Sequence, residues 1–354
     1  MSRLLSERLR TLEAYVPGEQ PQDQRYVKLN TNESPYPPSP GVLAAAAAEA
    51  ARLNLYSDPE LKPLRAALAE TYGVTLENIC CGNGSDELLY FIFLAYGDAA
   101  HGFIFPDLTY GFYPVFCRLN GVPFEEKPLR ADFTVDLTDY LDDPRPMVLA
   151  NPNAPTGIAL GLAEIERLAA SNPARLVVID EAYVDFGGES AVGLTRRYDN
   201  LIVVGTFSKS RSLAGGRLGF AIADAALIAD LETVRYSINP YNVNRMSMAA
   251  GVAALRDAAY YEANCRTIAR TREDTAARLR ALGFEVLPSR ANFLFARSDR
   301  CSGERLYLEL KRRGVLVRHF TKPRIADYVR VTVGSVSDME QFIRTTEDVF
   351  NEER

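Results

Sequence analysis

Six short apolar runs constrain the fold more than anything else in the chain: residues 79–81, 103–105, 147–149, 176–179, 201–204 and 218–222. None alternates apolar with polar residues, as a strand with one wet face would. They therefore predict a parallel sheet buried on both sides. Parallel neighbours need crossover connections, and helical patterns at 88–96 and 162–170 supply them. Before the first run, Asp58-Pro59-Glu60 reads as a helix start, with a cap, a proline in the first turn and an acid beside it. Leu61, Leu64, Leu68 and Tyr72 give that helix an apolar stripe, and Gly73 can end it.

The pattern changes after a long helical stretch at 258–282, closed by Gly283. Strands are expected at 284–287, 292–296, 315–318 and 329–333. A last helix opens with Ser337-Asp338-Met339-Glu340, read as a capping box. This is a second, smaller α+β unit. The N-terminal arm holds Leu4, Leu5, Leu9 and Leu12 near helical spacing, then an extended proline-rich stretch from Ser34 to Pro40. The expected division is 1–45 for the arm and part of the small domain, 46–257 for the large domain and 258–354 for the small domain.

Composition excludes several classes of function. The 354 residues can bury more than one core, and a net charge of −6 gives no pull toward nucleic acid or anionic membrane. The two histidines, His101 and His319, are too few and too far apart for a His-rich metal cluster. Cys80, Cys81, Cys117, Cys265 and Cys301 are odd in number and irregular in spacing, as expected of reduced thiols in the cytoplasm. Residues 1–10 carry three arginines and no apolar core of a signal peptide. The longest apolar run, 88–96, is far short of the roughly 20 residues that span a bilayer. A soluble protein is expected.

Four polar segments follow strand ends, where open α/β sheets bind ligands. Gly82-Asn83-Gly84-Ser85-Asp86-Glu87 joins a strand to a helix, and free N–H groups at a helix start can hold a phosphate. An ordinary turn capped by Ser85 is the plainer reading of that segment alone. Asn151-Pro152-Asn153-Ala154-Pro155-Thr156-Gly157 forms a stiff loop that can aim an amide at a ligand. Asp180-Glu181-Ala182-Tyr183 ends a very apolar strand, and an ionised carboxylate there needs a cationic partner. Thr206-Phe207-Ser208-Lys209-Ser210-Arg211 runs on to Gly215-Gly216-Arg217. A lysine among hydroxyls at a strand end suits an amine nucleophile, and Arg217 can return as a phosphate clamp. In a Walker phosphate loop the glycines precede the lysine; here they follow it, which disfavours nucleotide hydrolysis. Each segment is weak alone. All four in this order are specific.

With these segments in place, the chain resembles the fold-type-I pyridoxal-phosphate aminotransferases, and most closely the histidinol-phosphate aminotransferase family. The likeness runs over nearly the whole chain. It includes Tyr15-Val16-Pro17-Gly18, Lys28-Leu29-Asn30-Thr31-Asn32-Glu33-Ser34-Pro35-Tyr36, Leu55-Tyr56-Ser57-Asp58-Pro59 and Tyr328-Val329-Arg330-Val331-Thr332-Val333-Gly334. The resemblance implies a large α/β/α domain with a mostly parallel seven-stranded sheet and a smaller α+β domain. It implies pyridoxal 5′-phosphate held by Lys209 as a Schiff base, with Lys209 then moving the substrate proton. Asp180 would keep the pyridine nitrogen protonated and Tyr183 would hydrogen-bond the ring's phenolic oxygen. Gly84, Ser85, Asp86, Thr206, Ser208 and Arg217 would surround the cofactor phosphate, and Tyr110 would stack on the ring. Phe112 and Tyr113 also admit a reading as loop aromatics packed under the domain.

The resemblance further implies a homodimer with shared active sites, in which Tyr56 reaches the neighbouring subunit's cofactor. Arg330 and Arg318 match positions that bind the substrate's anionic end, and Tyr15 and Asn32 are further substrate-side candidates. One departure stands out. The family's loop usually has a second asparagine where this chain has Ala154, leaving Asn153 or Tyr183 alone for the ring oxygen. The Pro106-Asp107-Leu108-Thr109-Tyr110 segment also departs from the commonest pattern. The implied reaction is transfer of an amino group between L-histidinol phosphate and 2-oxoglutarate, in histidine biosynthesis. Aromatic amino-acid transamination and threonine-phosphate decarboxylation are alternatives on the same fold. A ligand-sensing role is disfavoured, because the short arm leaves no room for a DNA-binding module.

Overall fold

The computed structural model describes residues 2–10 and 12–352. Seven strands form the main sheet in the order Ile79–Gly82, Gly219–Ile222, Leu201–Thr206, Val177–Asp180, Met147–Ala150, Phe103–Pro106, Phe124–Lys127. Only Gly219–Ile222 runs against its two neighbours; the other pairings are parallel. The uninterrupted apolar runs arise because side chains point alternately into two cores. Val177, Ile179, Leu201 and Val203 enter one core, while Val178, Ile202 and Val204 enter the other. Helices cover both faces, so no position on these central strands is left for a polar residue until the strand ends.

A second sheet of four antiparallel strands has the order Arg318–His319, Tyr328–Thr332, Phe293–Ser298, Phe284–Val286. Its core includes Leu294, Val329 and Val331 from the sheet, Ile268 and Leu279 from helix Ala258–Ala281, and Phe342 and Ile343 from helix Val336–Asn351. The expected strand at 315–318 is divided between two sheets. Val315–Leu316 pairs in parallel with Val27–Lys28, and Arg318–His319 joins the four-stranded sheet. That small parallel pair ties the arm to the far end of the chain.

Several local expectations shift. The helix foreseen at Asp58 begins at Lys62, with Pro63 in its first turn and Leu61 in a left-handed conformation at the cap. Asp58 still serves the start, accepting from Glu60 N and Lys62 N at 3.0 Å each. Gly73 ends the helix at φ +63° as expected. The last helix is capped by Ser335 with Asp338, not by Ser337. The segment Phe124–Lys127 is an edge strand, which its three charged residues beside a single apolar one concealed. Among the described residues the leucines of the arm form no α-helix: a 3-10 turn spans Glu7–Leu9, and Leu4 is 84% exposed. A segment that short has no apolar surface to dock on, and isolated helices of this length are marginal. All five cysteines are buried. No helix among the described residues is long and apolar enough to cross a membrane.

Candidate active site

Parallel strands deliver their carboxyl ends to one edge of the sheet, and here those ends are Ala150, Asp180 and Thr206. The reversed strand Gly219–Ile222 enters from that same edge. Arg217, two residues before it, is thereby returned beside the turn after Gly82. Gly84 sits there at φ +83°, and a Cβ at that position would lie 2.6 Å from Arg217 Nη2. The turn therefore needs glycine for its conformation and for the closeness of the guanidinium. Helix Ser85–Tyr96 starts immediately after it, presenting its free N–H groups.

These ends form the floor of a cleft of about 670 Å³. Asp180 is buried, and burial pushes its carboxyl up to about 6 against two opposing hydrogen bonds. Tyr113 Oη donates to Oδ2 at 2.8 Å and Ala182 N to Oδ1 at 3.2 Å. No cation pairs with this carboxylate among the described residues, so its site is complete only when a positive group meets it. Lys209 lies across the floor, its Nζ 5.9 Å from the centre of the Tyr183 ring and 3.1 Å from the Thr31 carbonyl. Burial and the charge of Arg330 push its amine down to about 8. A substantial neutral fraction is thus available as a nucleophile near neutral pH. Thr206 Oγ1 and Ser208 Oγ are linked at 3.0 Å. Asp86 joins two neighbours, accepting from Arg217 Nη2 at 3.0 Å and Tyr110 Oη at 2.7 Å.

The opposite wall comes from the small sheet and the arm. Arg330 Nη2 donates to the Asn30 carbonyl at 3.0 Å, and its guanidinium carbon lies 5.4 Å from the centre of the Phe293 ring and 5.7 Å from that of Phe320. Its Nε is buried without a hydrogen-bond partner. A buried guanidinium with an unspent donor is prepared for an anion. Arg318 is spent differently: its two terminal nitrogens donate to the carbonyls of Val16 and Pro17 at 3.1 Å each. The same arm is anchored by Glu19, which takes hydrogen bonds from Tyr307 and Lys311. Tyr15 then stacks on Phe112 at 4.1 Å.

The family model for aminotransferase class I and II matches residues 24–345. Histidinol-phosphate aminotransferase 1 of Bradyrhizobium diazoefficiens is 54% identical over 336 residues, which cover 95% of this chain and 96% of that one. The chain belongs to the histidinol-phosphate aminotransferase family of class I and II aminotransferases. Histidinol-phosphate aminotransferase 2 of Dechloromonas aromatica is 50% identical over 340 residues, 95% of this chain and 96% of its own length. The crystal structure of histidinol-phosphate aminotransferase from Sinorhizobium meliloti, in complex with pyridoxal-5′-phosphate, superposes with a TM-score of 0.91 at 24% identity. It covers 100% of this chain and 99% of that one. At that identity the likeness concerns the fold: a large, mostly parallel seven-stranded sheet with a smaller α+β unit.

In this aminotransferase the cleft gathers most of the residues singled out from the sequence. Tyr15, Asn32, Ser85, Asp86, Tyr110, Asp180, Tyr183, Thr206, Ser208, Lys209, Arg217, Arg318 and Arg330 all line it. Gly84 underlies Arg217 instead. Asn153 is turned away: its amide donates to the Leu108 carbonyl at 2.9 Å and Thr156 Oγ1 at 3.1 Å, and accepts from Thr109 at 2.9 Å. Both of its amide hydrogens are spent on its own loop and neighbourhood. Tyr56 lies outside the cleft, 78% exposed and stacked on Tyr241 at 4.4 Å. Two participants were missed. Tyr113 was read only as packing, although a buried tyrosine hydroxyl demands a partner. Thr31, the carbonyl partner of Lys209, gives no side-chain signal at all.

Proposed function

We propose that this chain is a pyridoxal-phosphate enzyme that transfers the amino group of L-histidinol phosphate to 2-oxoglutarate, a step of histidine biosynthesis. The observation that carries the reading is Lys209, an amine pushed down to about 8 in the same cleft as Asp180, Tyr183, Arg217 and Arg330. The donor set fits the cofactor. The unpaired Asp180 carboxylate suits a protonated pyridine nitrogen. The Gly84 turn, Ser85, Thr206, Ser208 and Arg217 make an anion cradle at a helix start. When bound, pyridoxal phosphate supplies an electron sink for charge developing on the substrate carbon. Lys209 would hold it and would serve to move the proton at that carbon, Tyr183 would donate a hydrogen bond to its phenolic oxygen, and Tyr110 would pack against the ring. Asp86 holds Arg217 and Tyr110 in place rather than meeting the phosphate itself, since two anions would repel. Arg330 takes the anionic end of the substrate, while Arg318 and Tyr15 close the arm over it.

The protein acts in the cytoplasm on small molecules, with no nucleic acid or membrane partner. It is a homodimer, to which exposed Tyr56 is contributed as a contact to the neighbour's cofactor. The chain divides into the large and small units expected, with the first boundary moved ahead of Pro40, because position 45 falls inside helix Pro40–Ala50.

Steady-state assays with 2-oxoglutarate and each of histidinol phosphate, phenylalanine, tyrosine and threonine phosphate test the substrate. Glutamate should form fastest with histidinol phosphate. Turnover of phenylalanine without turnover of histidinol phosphate would overturn the substrate, and carbon dioxide release without glutamate would indicate a decarboxylase.

A further inference from the structure

Asn32 is buried and held in a left-handed backbone conformation at φ +56° by partners from the far end of the chain. Its N–H donates to Thr332 Oγ1 at 2.9 Å, and its carbonyl accepts from Asn292 Nδ2 at 3.0 Å. The Thr332 hydroxyl in turn gives its single hydrogen to Asn32 Oδ1 at 3.0 Å. This fixes which way the amide faces, so Nδ2 donates to the Tyr183 hydroxyl at 3.0 Å. A phenol has one hydrogen and two lone pairs. With Asn32 donating into a lone pair, the Tyr183 hydrogen is free to go elsewhere, and no described residue accepts it. Nor does the 151–157 loop compete as a donor. Asn151 serves Leu160, Asn153 serves its own neighbourhood, and Ala154, which lines the cleft, has no side-chain donor.

We infer that Asn32 is a positioning residue that turns the Tyr183 hydroxyl into an obligatory donor toward the cofactor's phenolic oxygen. Through Thr332 and Asn292 it makes that polarity depend on the small sheet. The inference rests on the cofactor reading above. Its physical consequence is electronic. A donor on the phenolic oxygen stabilises negative charge there, so the nitrogen joining Lys209 to the cofactor gives up its proton at lower pH. Losing or reversing that donor raises the midpoint of this titration.

The test is a pH titration of the visible absorption of the holoenzyme, which follows that nitrogen's protonation. Asn32→Asp keeps the size and tolerates the left-handed backbone, but it presents an acceptor and draws the Tyr183 hydrogen away from the cofactor. The midpoint should rise by about one to two pH units, the scale of a hydrogen bond to a charged group. The new carboxylate also acts through its charge, so the same change is made in a Tyr183→Phe background, where only the charge effect survives and the rise should be much smaller. Neutral Asn32→Gly, which suits φ +56°, should shift the midpoint the same way by less. Thr332→Val, which leaves Asn32 in place but frees its amide to turn over, covers the case in which neither Asn32 variant folds, and should give a rise that also vanishes in the Phe background. Equal shifts in the Tyr and Phe backgrounds, or no shift at all, overturn the role of Asn32. Only cofactor uptake is needed, not turnover. A wild-type protein that stays colourless with pyridoxal phosphate defeats the cofactor reading itself, whereas a coloured one with unmoved midpoints defeats this inference alone.

Discussion

The floor and the wall of the cleft are built in opposite ways. The floor comes from adjacent strand ends of one sheet, each backed by two apolar cores, and its polar groups sit where the strands stop. The wall is assembled from an extended arm and a separate sheet, held by hydrogen bonds that span some 300 residues. Packing fixes the floor before any ligand arrives, whereas the wall depends on a few polar links between distant segments. Removing a floor residue should therefore abolish chemistry, and removing a wall residue should weaken capture.

The largest effect is expected for Lys209→Ala, with turnover reduced at least about 10⁴-fold and the protein's yellow colour lost. Full activity in that variant would end the comparison, since the floor would then not carry the chemistry. Next comes Arg330→Met, which should lower kcat/KM by about 100-fold through the loss of charge-assisted hydrogen bonds. The same variant links wall to floor, because Arg330 helps depress the Lys209 amine. Only the neutral amine attacks, so cofactor uptake should rise with pH to a midpoint near 8 in the parent protein. In Arg330→Met that midpoint should move upward, and a downward move would contradict the assigned sign.

Arg318→Gln should cost about 10-fold in kcat/KM, the worth of its two bonds to the arm. Hydrogen exchange at residues 12–19 should quicken in that variant while the floor strands stay protected. If the arm's exchange is unchanged, the wall is held by something other than Arg318. The smallest effect is reserved for Tyr113→Phe. Its hydroxyl opposes the upward push of burial on Asp180, so its loss raises the carboxyl further and loosens the hold on a protonated ring nitrogen. A fall in kcat of about 3- to 10-fold is expected, with little change in KM.

The same contrast explains what could be read from the amino acids. Asp180, Lys209 and Arg217 were legible because each breaks an apolar strand pattern at its end, and strand ends converge in any parallel sheet. The reversed strand Gly219–Ile222 was not legible as reversed, since its apolar content matches its parallel neighbours. Phe124–Lys127 escaped because an edge strand with charged residues carries no burial pattern. Arg318 and Arg330 lie on consecutive strands and pair directly across them, yet both terminal nitrogens of Arg318 are spent on the arm's carbonyls while Arg330 Nε has no partner. Only tertiary hydrogen bonding separates them. Asn153 and Asn32 show the same limit, because an asparagine in a loop advertises an amide but not what the amide will meet.

The strap from Thr31 to Asn32 has a consequence for the making of the protein. It reaches Lys209, yet its lock on Thr332 lies 300 residues later in the chain. At ribosomal speeds of about 5 to 20 residues per second, those residues wait roughly 15 to 60 s for their partner to be made. The floor strands, complete by Ile222, are synthesised well within that interval. A nascent chain can therefore display a folded floor while the arm that will fix the Tyr183 hydroxyl is still unattached.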